Sequence, residues 1–71
     1  MKKLINIEGM SCGHCVKHVE DALVEVSGVE KVEVSLQDKN ATVVLNQQVE
    51  DSKLREAVEE AGYEVTSIKE L

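Results

Sequence analysis

The sequence contains no proline, tryptophan or phenylalanine, and Tyr63 is its only aromatic residue. An interior without large rings has to be filled by aliphatic side chains, mostly valine, and a chain of this size buries only about 60% of the surface exposed when unfolded. That leaves little room for a deep substrate pocket. No apolar run approaches the roughly 20 residues of a membrane-spanning helix, so membrane insertion is not expected. The opening MKKLINIEGM has two lysines but neither the apolar core nor the small-residue cleavage site of a secretory signal, which predicts a cytoplasmic protein. The formal charge of −6 comes from interspersed acids and bases. Without a basic stripe, no nucleic acid is expected as a partner, and most of the acidity reads as a solvated face. Cysteine is scarce as well, with Cys12 and Cys15 alone. In a reducing compartment a structural disulfide is the weakest account of them.

What the chain does contain is regular period. Residues 3–8 alternate, with Ile5 and Ile7 on one face and Asn6 and Glu8 on the other, as in a half-buried strand. From Cys15 onward Val16, Val19, Ala22, Leu23 and Val26 recur at three- and four-residue steps, which predicts an amphipathic helix stopped near Ser27 and Gly28. Val32, Val34 and Leu36 alternate again, and after the polar residues 37–40 a β-rich run at 41–45 predicts an antiparallel hairpin. Asp51 or Ser52 is placed to cap a second helix that buries Leu54, Ala57, Val58 and Ala61 and stops at Gly62. A final strand near Tyr63, Val65 and Ile68 alternates less regularly. The order βαββαβ predicts an α+β, ferredoxin-like sandwich: a four-stranded antiparallel sheet with two helices on one face. No linker or low-complexity tract divides the chain, so residues 1–71 are expected to form one domain.

The chemistry concentrates in Met10-Ser11-Cys12-Gly13-His14-Cys15, in the loop from the first strand into the first helix. Cys15 falls in or next to the first helical turn. Unpaired backbone N–H groups and the positive end of the helix dipole gather there, and both favour a thiolate, the form that metals bind. A closed zinc site is poorly supported, because structural zinc wants four ligands and the chain has no further cysteine and only His14 and His18. Two thiolates satisfy a soft monovalent ion such as Cu(I), whereas hard ions need carboxylate and carbonyl oxygens. So few ligands at an exposed loop leave room for an incoming thiolate, which favours handing the metal on over storing it. The rival use of CxxC at a helix N-terminus is thiol–disulfide exchange. Against it stand the short chain, the strand order, a Gly-His spacer without a flanking aromatic, and the lack of a proline for a cis-Pro loop.

The run Gly9-Met10-Ser11-Cys12-Gly13-His14-Cys15 resembles the GMxCxxC signature of the heavy-metal-associated domain, found in cytosolic copper chaperones and at the N-termini of copper-transporting P-type ATPases. The resemblance covers the entire chain, since that family is a ferredoxin-like domain of about this length. His14 followed by Val16 and Lys17, and the late Gly62-Tyr63 pair, are most similar to bacterial cytosolic copper chaperones of the CopZ type. The resemblance implies a metal carrier rather than an enzyme, with Cys12 and Cys15 binding Cu(I). It implies that Met10 packs beneath the loop rather than ligating. Tyr63 would lie near the loop, shielding or hydrogen-bonding the thiolate region, with a plain half-buried sheet residue as the alternative. Family members that take zinc or cadmium often carry an acidic residue before the first cysteine, so Ser11 favours the monovalent ion. His14 is open to three roles, namely ligating, tuning the site's charge, or sitting in solvent, and His18 is expected to face solvent. The implied partners are metal-binding domains of a copper-transporting P-type ATPase and a copper-responsive repressor. The metal-free protein is expected to be monomeric, and a Cu(I)-bridged dimer through the exposed loops is a further form the chemistry allows. The initiating methionine and the finish at Leu71 point to an independent protein, although an excised transporter domain, or a mercury- or zinc-binding relative, would share these features.

Overall fold

The computed structural model describes residues 1–10 and 13–71. In order the elements are β1 (Lys2–Glu8), α1 (Gly13–Val24), β2 (Val29–Ser35), β3 (Asn40–Leu45), α2 (Asp51–Glu60) and β4 (Glu64–Glu70). The strands pair antiparallel in one sheet, β2-β3-β1-β4, so the first βαβ unit encloses β3 and the second encloses β1. This is the ferredoxin-like arrangement the element order predicts. Alternation decides the inward rows: Ile5 and Ile7 from β1 and Ala41, Val43 and Leu45 from β3 are buried, while Asn6, Thr42 and Val44 between them are only partly covered. Val19 and Leu23 from α1, and Leu54 and Val58 from α2, close over that face in a single aliphatic core. Fully burying a side chain of this kind contributes about 1.5–3 kcal/mol.

Four details depart from the sequence reading. First, α1 ends at Val24, ahead of the expected stop near Ser27 and Gly28. Val26 lies in the following turn, its N–H donating to Leu23 O at 3.0 Å, and it still packs on the core. Second, neither Asp51 nor Ser52 caps α2; the capping position is Glu50, which makes no side-chain cap bond. Asp51 is engaged elsewhere, since Lys3 on the inward row of β1 donates to Asp51 Oδ1 at 2.6 Å and to the Val49 carbonyl at 2.8 Å. Burying that ammonium is tolerable because both partners lie within hydrogen-bond reach. Third, Leu36 does not extend the alternation of β2: the strand stops at Ser35, and Leu36 is exposed in a turn closed by Lys39 at φ 57°. Fourth, the irregular last strand carries a bulge. Ser67 pairs with Asn6 and Val65 with Ile7, so Thr66 is an extra residue. The insertion lets Val65 and Ile68, three apart, both pack on the core.

Gly62 does terminate α2 as expected. It adopts φ 97°, its N–H donates to Glu59 O at 3.0 Å, and the N–H of Tyr63 donates to Val58 O at 3.2 Å. This paired closure satisfies carbonyls that a helix end leaves open, and it turns the chain so that Tyr63 emerges beside the start of β4.

Candidate metal centre

The end of β1, the start of α1, the β2–β3 turn and the α2–β4 turn meet at one end of the sheet. Glu8 pairs with Glu64, and the Ile7 N–H donates to the Lys39 carbonyl at 2.9 Å. Those bonds hold the strand that leads into the cysteine loop from both sides. Sequence reasoning had no signal for Lys39, whose contribution is a backbone carbonyl presented by a left-handed turn.

Met10, two residues beyond β1, packs into the core with only 6% of its surface exposed. Ser11 and Cys12 lie outside the described residues. α1 then begins at Gly13, which puts Cys15 in its first turn, half-buried and packed against the core. The first turn contains no acidic residue, so no carboxylate competes there with an anionic sulfur for the helix's positive end. Among the described residues, a methyl group added at Gly13 would meet nothing within 4 Å. Tyr63 packs on the core, and its Cδ1 is 3.5 Å from where a methyl on Gly9 would sit, so it lies beside the residue that follows β1. It is half-buried but precedes β4, in the turn after α2, rather than belonging to the sheet. His14 and His18 are both exposed on α1. Lys17, between them in sequence, pairs with Asp21 at 3.4 Å and Glu20 at 3.9 Å. Among the described residues no group of three or more His, Cys, Asp or Glu side chains gathers. Among them, too, no helix is long and apolar enough to cross a membrane.

Comparison with known proteins agrees with this geometry. The family model of the heavy-metal-associated domain matches residues 4–64. A copper chaperone CopZ of Staphylococcus epidermidis is 43% identical over 65 residues, 90% of this chain and 96% of its own. Among solved structures, a CopZ metallochaperone superposes with a TM-score of 0.87 at 37% identity, over 93% of this chain and all of the other. A copper-binding domain from a P-type ATPase superposes with a TM-score of 0.84 at 35% identity, over 96% and 97% of the two chains. With the signature at the junction of β1 and α1, the matching fold and relatives aligned over nearly their whole length, the chain belongs to the heavy-metal-associated domain family.

Proposed function

We propose that the protein is a cytoplasmic copper chaperone that binds one Cu(I) between Cys12 and Cys15 and passes it to a metal-binding domain of a copper-transporting P-type ATPase. The observation that carries this reading is the position of Cys15 in the first turn of α1, at the junction where the signature leaves β1. The 43% identity to a copper chaperone supports the carrier role, and the likeness to an ATPase copper-binding domain supports a recipient of the same shape. Two thiolates suit a soft monovalent ion. Buried Met10 acts as core packing rather than as a ligand.

Transfer proceeds by ligand exchange. A recipient thiolate attacks the bound ion, a two- or three-coordinate intermediate is shared by the two proteins, and Cys12 or Cys15 leaves as a thiolate. Copper remains Cu(I) throughout, so no electron acceptor is needed and the protein is a carrier rather than an enzyme. A copper-responsive repressor is a second recipient with the same chemistry, and metal shared between two copies accounts for a Cu(I)-bridged dimer.

The test is anaerobic: the Cu(I)-loaded protein is mixed with an apo metal-binding domain of such an ATPase, the two are separated by charge, and copper is measured on each. Copper should distribute between them within the mixing time and return when the recipient is loaded first. Copper that stays on this protein while a small-molecule chelator removes it freely would contradict the proposal.

A further inference from the structure

The solvent face of α1 carries a donor pair that the thiol site does not use. His14 and His18 stand four residues apart on α1, and both are exposed. Positions i and i+4 of a helix lie one above the other with Cβ atoms about 5–6 Å apart. That spacing lets two imidazoles on one helix face grip a single ion at metal–nitrogen lengths of about 2.0–2.1 Å. Among the described residues no hydrogen bond or ion pair engages either ring.

The surrounding charges leave the pair accessible. Lys17 shares this side of the helix, but its ammonium is drawn along the axis to Asp21 at 3.4 Å and Glu20 at 3.9 Å. Asp21, the residue that helical spacing would offer as a third donor, is thereby occupied. The donor set is two imidazole nitrogens with the remaining coordination positions left to water. Such a set suits late first-row divalent cations of the Ni(II), Cu(II) and Zn(II) class; it has too few oxygens for Ca(II) or Mg(II) and no thiolate for Cu(I). The two nearby carboxylates and the net charge of −6 favour the approach of a dication.

We propose that His14 and His18 form a second, two-imidazole site for a late first-row divalent cation, separate in donor type from Cys12 and Cys15. The inference does not depend on what the thiols bind. Untagged protein carrying Cys12→Ser and Cys15→Ser is titrated with Ni(II) by calorimetry, so that no thiolate contributes. One equivalent should bind. Adding His14→Gln or His18→Gln singly should weaken uptake by about tenfold or more, since the second donor of a pair binds at high effective concentration. In the same thiol-free protein, paramagnetic Ni(II) should broaden the ring resonances of both histidines together. Absence of uptake by the thiol-free protein, uptake that either single histidine variant keeps in full, or broadening of His14 without His18 overturns the proposal.

Discussion

Replacing Gly28 and Gly62 by alanine, one at a time, separates two costs that usually arrive together. Both residues lie in the left-handed region, at φ 98° and 97°. An L side chain there costs about 1–2 kcal/mol, offset in part by about 0.4–1 kcal/mol from stiffening the unfolded chain. At Gly62 a new methyl group meets nothing within 4 Å among the described residues, so Gly62→Ala carries the backbone cost alone. At Gly28 it would lie 2.7 Å from Val49 Cγ2 and 2.9 Å from Gln47 Cγ. Gln47 is exposed and can swing aside; Val49 is 3% exposed and held in the core. Forcing a methyl group into that contact adds about 1–3 kcal/mol. Gly62→Ala should therefore lose about 1 kcal/mol and Gly28→Ala about 2–4 kcal/mol. At about 4–8 °C per kcal/mol for a domain of this length, the two melting temperatures should differ by about 5–20 °C. Urea unfolding followed by circular dichroism gives the same quantity as a shift in midpoint at constant slope. Equal losses at the two positions, or a larger one at Gly62, would refute the steric account of the α1–β2 turn.

Asp51→Ala should destabilise by about 1–3 kcal/mol, between the ranges for exposed and buried pairs, because it strips the charged partner from a nearly buried Lys3. Chemical denaturation checks this, and an unchanged midpoint would mean the pair contributes nothing. Met10→Leu should cost less than about 1.5 kcal/mol as a volume-conserving core change. It should also leave Cu(I) affinity unaltered, so a large fall in a chelator competition would make the thioether a ligand. Cu(I) uptake should release thiol protons and weaken as pH falls through the range in which thiols ionise. A proton count of zero across that range, measured by calorimetry in buffers of different ionisation enthalpy, would contradict thiolate ligation.

The elements easiest to read in the sequence were those whose inward row follows an unbroken period. Ile5 and Ile7, and Ala41, Val43 and Leu45, announce their strands because nothing interrupts the alternation. β4 is harder because Thr66 is inserted at a bulge, which leaves Val65 and Ile68 out of step in sequence yet on one face in space. The start of α2 misleads for a different reason. Asp51 has the chemistry of a capping residue, but its carboxylate is taken by Lys3 from the far end of the sequence, a partner no local pattern reveals. Lys3 itself looks like a solvated strand residue and is 7% exposed. At the candidate site, the change of period at Cys15 was enough to place it in the first turn of α1, whereas the burial of Met10 was implied only by the family resemblance. The packing of Tyr63 near Gly9 arises where two turns meet, and only the family resemblance pointed to it.

The central claim is that Cys12 and Cys15 together hold one Cu(I). Its most direct test is anaerobic competition of the fully reduced protein with a chromogenic Cu(I) chelator, run beside Zn(II) and beside the Cys12→Ser, Cys15→Ser variant. One equivalent of Cu(I) should be withdrawn from the chelator by the unsubstituted protein and none by the variant, with Zn(II) failing to displace it. Copper uptake that survives loss of both thiols, or a reduced protein that cannot compete with the chelator at all, would contradict the account.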